Sequence, residues 1–208
     1  MLTKLKRRVQ DLISTEAKLM HRAGLKPNTV SAIGVSLGLI SGALYWAAGE
    51  NLANANMYRV YIISAVALLA LSGLCDALDG ALARLYGETT VLGGFLDSLL
   101  DRYVDSAVLC GLILSGLCDP FWGLLALIGS LLTSYARARS EAADVPMETV
   151  GIMERAERLI VVIAASIISA LLAEKSALNI SVIFLAITSN LTVIQRALYF
   201  RRRVSQKQ

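Results

Sequence analysis

Apolar runs, each long enough to cross a bilayer, follow one another from residue 28 almost to the end of the chain and limit what it can become. A hydrocarbon core about 30 Å thick is spanned by about 20 mostly apolar helical residues. Runs of that length are placed near 28–48, 58–86, 91–117, 121–143, 151–173 and 178–200. Period-two alternation, the mark of a membrane β-barrel, is absent. The reading is therefore all-α: a polytopic membrane protein with six transmembrane helices. Composition agrees, since 56% of the 208 residues are hydrophobic, 17% are charged and the mean hydropathy is +0.61. That leaves too little polar surface to clothe a soluble domain. The breaks fall at helix-stopping sequences: Pro27, Gly87-Glu88, Asp119-Pro120 and the polar stretch from Glu141 to Thr149.

Residues 1–22 read as a separate element, an amphipathic juxtamembrane helix ahead of a membrane domain covering 23–208. Leu2, Leu5, Val9, Leu12, Ile13 and Met20 recur near helical spacing among Lys4, Lys6, Arg7, Arg8 and Lys18. Such a helix lies in the headgroup layer with its cations near anionic membrane lipids; a solvated basic tail is the other reading. No cleavable signal peptide is expected, because no small-residue cleavage pattern follows the first apolar run. Of the 20 lysines and arginines, Arg59 and Lys175 fall by one set of loops, and nearly all the rest lie by the other set or the termini. This bias puts both termini in the cytoplasm, as an even number of spans requires. Cys75, Cys110 and Cys118 lack metal-binding spacing and read as small apolar filler. His21 stands alone and reads as a surface or headgroup contact.

Asp76, Asp79, Asp97, Asp101 and Asp105 lie in the second and third runs. An ionised carboxylate at membrane depth is costly unless paired, hydrated or metal-bound, so these acids are functional candidates. Asp76 and Asp79 are i, i+3 and Asp97 and Asp101 are i, i+4, so each pair shares one helix face. Four converging carboxylates with no His or Cys among them make an all-oxygen site suited to Mg²⁺ or Mn²⁺. Such metals grip substrate phosphates. The competing reading is helix-to-helix pairing with Arg84 or Arg102. Gly80, Ala83 and Gly93-Gly94 serve close helix packing or admit a ligand to the backbone.

The pattern Asp76-x2-Asp79-Gly80-x2-Ala83-Arg84-x8-Gly93-x3-Asp97-x3-Asp101 resembles, position for position, the signature of the CDP-alcohol phosphotransferase family. The resemblance implies that Asp76, Asp79, Asp97 and Asp101 bind metal, as two ions, and that Asp101 is also the general base. It implies a metal-dependent transferase in which an acceptor hydroxyl attacks the lipid-side phosphorus of a CDP-lipid and expels CMP. The family's CDP-lipid pocket falls on Gly80, Ala83, Arg84, Thr90 and Gly93, together with the entry to the first span, Asn28, Thr29, Val30 and Ser31. Asn28 or Thr29 also reads as a helix N-cap.

Arginines suggest the acceptor. Arg137 and Arg139 end the fourth run, Arg155 and Arg158 begin the fifth and Arg196 lies in the sixth, all on the side of the aspartates. A cationic cluster beside a metal site suits a phosphorylated acceptor; positive-inside anchoring, or pairing with Glu141, Glu154 and Glu157, is the other reading. The segments 134–141 and 151–158 resemble the phosphatidylinositol-phosphate and archaetidylinositol-phosphate synthase branch. That resemblance implies inositol 1-phosphate held by Arg137, Arg155 or Arg158, and Arg196, with CDP-diacylglycerol or CDP-archaeol as the lipid. It also implies a homodimer in the cell membrane, an active site on the cytoplasmic side and no nucleic-acid partner. Glycerol 3-phosphate is the nearest rival acceptor, serine a weaker one, and an ion transporter the remote alternative.

Overall fold

The computed structural model describes residues 15–19, 21–22, 24–147 and 150–206, and the described residues contain helices and no strand. Among the described residues six long helices run in order: α1 (Pro27–Glu50), α2 (Ala55–Tyr86), α3 (Val91–Leu114), α4 (Pro120–Glu141), α5 (Arg155–Leu172) and α6 (Ser176–Ser205). α1, α2, α4 and α6 are long and apolar enough to cross a membrane. The chain is a membrane protein with at least these candidate spans. α3 and α5 fall outside that set because they carry the charges, Asp97, Asp101, Arg102 and Asp105 on α3 and Arg155, Glu157 and Arg158 on α5. Of the expected 1–22 helix, residues 1–14 and 20 lie outside the described residues, while 15–19 and 21–22 are helical. Ala17 is buried with Val30, Leu78, Ala81 and Leu82. The His21 ring stacks on Tyr86 with centroids 3.5 Å apart, a contact with this chain's own α2.

Helix ends follow local chemistry. Asn54 caps α2 by accepting from the amides of Asn56 and Met57, and Gly87 ends it in the left-handed region at φ 67°. Thr90 caps α3 through its hydroxyl, which accepts from Gly93 N at 2.9 Å. Asp119 caps α4 just before Pro120. The expectation that Asn28 or Thr29 caps α1 is corrected: Pro27 sits at the first helical position, so Lys26 is the N-cap and makes no side-chain bond. α5 starts at Arg155 rather than near 151. Gly151 has φ 133°, outside helical space, and packs so tightly on Thr192 of α6 that a Cβ there would collide with it.

The principal helix contacts close into a ring: α1 on α2 and α3, α3 on α4, α4 on α6, α6 on α5, and α5 back on α2. α1 and α3 approach to backbone distance, since a Cβ on Gly42 would lie 2.6 Å from the carbonyl oxygen of Ala107. Small residues of this kind permit close packing in lipid, where no hydrophobic force draws helices together. The interior carries buried hydroxyls whose needs are met locally or across the ring. Ser41 donates to the carbonyl of Ala65 at 2.8 Å, Tyr45 and Ser166 share a 2.8 Å bond, and Ser166 donates back to Val162 O. Outside, Ile160, Leu171 and Ile180 stand exposed, the surface lipid tails would cover. α2 and α3, joined by a four-residue turn, are not principal partners; their facing ends stand apart and frame the site.

Candidate active site

At the end of the ring where α2 ends and α3 and α5 begin, ligand oxygens of Asp76, Asp97 and Asp101 lie within 4.8 Å of one another. The helices supplying them are separated at the backbone, so it is the side chains that meet. Three carboxylates at this separation, with no nitrogen or sulfur donor among them, fit a hard divalent cation. Asp79 is buried one turn along α2, outside this group, and its carboxylate accepts from the hydroxyl of Ser31 on α1. A narrow gap of about 20 Å³ lined by Ser31, Asp79, Asp76, Asp97 and Asp101 joins it to the other three.

Two larger cavities meet at the acids. The first, about 450 Å³, is lined by Asn28, Ser31, Gly80, Ala83, Arg84, Thr90 and Gly93, all expected CDP-lipid residues, and by Glu88 and Thr89. The Arg84 guanidinium lies over Gly80, where a Cβ would come within 3.2 Å of its Nη1. Thr29 is exposed and does not line this cavity, and Val30 turns the other way into the packing against Leu78 and Leu82. On a helix, consecutive residues diverge by about 100°, so a run of four cannot share one face. Asn28 and Ser31, three apart, do.

The second cavity, about 650 Å³, gathers all four arginines expected to hold the acceptor: Arg137 from α4, Arg155 and Arg158 from the first turn of α5, and Arg196 from α6. Asp76, Ala77, Gly94 and Asp97 line both cavities. Each arginine is held differently. Arg196 is buried, donating through Nε to Val150 O at 2.8 Å and through Nη1 to Thr133 O at 2.6 Å. Arg158 is buried with Nη2 3.2 Å from Asp105, and its Nη1 has no hydrogen-bond partner among the described residues. Arg137 is exposed and pairs with Glu141 at 2.8 Å, as the alternative reading of the arginines has it. Arg155 pairs with Asp76 at 2.9 Å, Asp101 at 2.9 Å and Asp105 at 3.3 Å.

These pairs revise the sequence-based accounting of charge. Among the described residues Arg84 forms no ion pair with the acids, Arg102 reaches Asp101 only at 3.4 Å, and Arg155 makes the close contacts. Sequence reasoning also passed over Ser98, Ser134, Glu141 and Glu154 as cavity walls and Asp105 as a partner of two arginines. Asp105 was within reach of the spacing argument, since it continues the i, i+4 series from Asp97 and Asp101 by one turn. The walls were not, because they depend on which helices become neighbours.

The profile of the family described as CDP-alcohol phosphatidyltransferase matches residues 25–194. Archaetidylinositol phosphate synthase of Pyrococcus horikoshii is 34% identical over 98% of this chain and 98% of its own length. Phosphatidylinositol phosphate synthase of Streptomyces avermitilis is 30% identical over 91% of this chain and 78% of its own. Two crystal structures of Mycobacterium tuberculosis phosphatidylinositol phosphate synthase match 91% of this chain at 28% identity. One, in complex with manganese and citrate, has a TM-score of 0.76 over 88% of that chain; the other, with CDP-DAG bound, has 0.77 over 94%. With the profile covering most of its length and a relative aligned almost end to end, this chain belongs to the CDP-alcohol phosphatidyltransferase family.

Proposed function

We propose that this protein transfers a phosphatidyl or archaetidyl group from CDP-diacylglycerol or CDP-archaeol to inositol 1-phosphate, releasing CMP. The observation that carries the reading is the division of one site into two cavities that share Asp76 and Asp97. The signature glycines and Arg84 line one, and four arginines line the other. Relatives named as archaetidylinositol and phosphatidylinositol phosphate synthases, and the neighbour with CDP-DAG bound, support the assignment of substrates. Arg158 supplies the local physical argument. A buried polar group without a partner costs about 1–3 kcal/mol, more when charged, and a phosphate oxygen in the arginine cavity would satisfy it.

Asp76, Asp79, Asp97 and Asp101 hold divalent ions, Mg²⁺ or Mn²⁺ and two in number; manganese in the mycobacterial structure and the three-acid cluster support this. When bound, the metal neutralises phosphate charge on the group attacked and the group leaving. The residues do the rest. Gly80 and Gly93 leave room for the cytidine, and Asn28, Ser31, Ala83, Arg84 and Thr90 border the CDP-lipid. Arg137, Arg155, Arg158 and Arg196 draw the acceptor phosphate and fix its hydroxyl toward the acids. Asp101 takes the proton of that hydroxyl as its oxygen bonds to the lipid-side phosphorus and the bond to CMP breaks. A single displacement of this kind inverts configuration at phosphorus.

The topology we propose has all six helices spanning the membrane, with α3 and α5 shielding their charges inside the ring, residues 1–22 along the headgroup layer, both termini and the site cytoplasmic in the cell membrane, and two chains forming a homodimer. The lipid-exposed apolar surface and the charge bias of the loops support this arrangement. The test is CMP release by the purified chain with either CDP-lipid and Mg²⁺ or Mn²⁺, comparing inositol 1-phosphate, glycerol 3-phosphate and serine. Release that requires inositol 1-phosphate bears the proposal out. Release with glycerol 3-phosphate alone keeps the acid chemistry and overturns the acceptor.

A further inference from the structure

Asp105 lies one turn beyond Asp101 on α3, outside the signature and outside the three-acid cluster, and its side chain is 14% exposed. One of its oxygens takes Nε of Arg155 at 3.3 Å, the other takes Nη2 of Arg158 at 3.2 Å, and the Ser130 hydroxyl stands 3.5 Å from the second. A carboxylate placed between two arginines three residues apart fixes both, because a guanidinium is planar and bonding at one edge sets where its remaining N–H groups point. With Nε held, the fork of Arg155 faces Asp76 and Asp101, each at 2.9 Å. With Nη2 held, Arg158 keeps Nη1 unpaired. Neither arginine would find this orientation from α5 alone, since both stand in its first turn and their partners are on other helices.

We infer that Asp105 is a positioning residue for the acceptor: it touches neither substrate, and by holding Arg155 and Arg158 it sets how tightly the phosphorylated alcohol binds. This rests on the proposed assignment of the arginine cavity to the acceptor. A buried residue with a purely structural role would lower folded yield or turnover for both substrates alike. A positioning role instead acts on one substrate, because Asp105 lines the walls of neither large cavity and reaches the acceptor side through its arginines.

The experiment uses the full chain in nanodiscs, with CDP-diacylglycerol and inositol 1-phosphate as varied substrates and inositol 1-phosphate binding followed by calorimetry. Asp105→Asn should raise the acceptor KM and Kd at least tenfold while the CDP-lipid KM stays within twofold, and Asp105→Glu should recover part of the loss. Arg158→Gln is measured alongside. If R158Q weakens the acceptor and D105N does not, the role of Asp105 is overturned and the cavity assignment survives. If R158Q leaves acceptor binding unchanged, the cavity assignment fails and the inference falls with it. Equal loss on both substrates with D105N overturns positioning in favour of a structural role. Should D105N not fold, a folded D105E with wild-type acceptor affinity overturns it, and a threefold or greater rise confined to the acceptor supports it.

Discussion

The two cavities that meet at the acids are built on opposite principles. The one beside α1, α2 and α3 is made by removal: Gly80, Ala83 and Gly93 withhold side chains, and Arg84 folds back over the space at Gly80. The one between α4, α5 and α6 is made by supply, with arginines reaching in from all three helices. A nucleotide is large and rigid, so room and a close backbone decide its fit. A small phosphorylated alcohol offers little area, and charge with fixed direction must hold it. The contrast also explains spacing in the sequence. Space can be cut from two adjacent helix ends, so its residues form a compact signature, whereas an anion clamp draws on distant helices.

Substitutions can break or sharpen this contrast. The largest effect is expected at the three-acid cluster: Asp101→Asn should lower kcat by at least about a thousandfold with both substrates still bound, measured as CMP release from folded protein. Near-normal turnover would remove Asp101 from the chemistry. Next, Arg158→Gln should raise the acceptor KM ten- to a hundredfold, equivalent to about 1.4–2.8 kcal/mol, with the CDP-lipid KM unchanged. An equal rise on both sides would erase the division between cavities. Gly80→Ala should act in mirror image and more weakly. Its Cβ meets a flexible guanidinium end that can give way, so the CDP-lipid KM should rise about three- to tenfold with acceptor KM constant. The smallest effect is expected for Arg137→Lys. Its pair with Glu141 is exposed on both sides, and such i, i+4 pairs contribute about 0.3–0.5 kcal/mol. A change of more than fivefold in acceptor KM would show that Arg137 binds through its planar fork.

Much of this was legible in the sequence, and for different reasons in different places. Helix ends are local chemistry, so Gly87 and Pro120 mark the ends of α2 and the start of α4 where the residues say they should. Gly151 escaped that logic because its unusual backbone answers to Thr192, forty-one positions away. The acids announced themselves through the cost of charge in an apolar run, and the glycines through their place in the signature. Val30, in the stretch that the resemblance assigns to the CDP-lipid, packs against Leu78 and Leu82 because neighbouring residues of a helix point in different directions. The ring order could not be read, since an apolar stripe shows that a helix has neighbours and not which ones. With the order went the ion pairs: nothing about Arg155 in isolation says that it will face Asp76 across the bundle.

That pairing has a consequence for biogenesis. Asp76 and Asp101 are synthesised well before Arg155, which lies 79 positions after Asp76, and the ring closes only when α5 reaches α2. In the proposed topology α3 enters the bilayer with Asp97, Asp101 and Asp105 against a single cation of its own, Arg102, and an acid at mid-membrane costs about 2.5–3.5 kcal/mol on insertion scales. The acid cluster on α2 and α3 therefore waits for the second half of the chain to supply Arg155. A nascent chain stopped after α3 should leave that helix at the interface, and the full chain should draw it in.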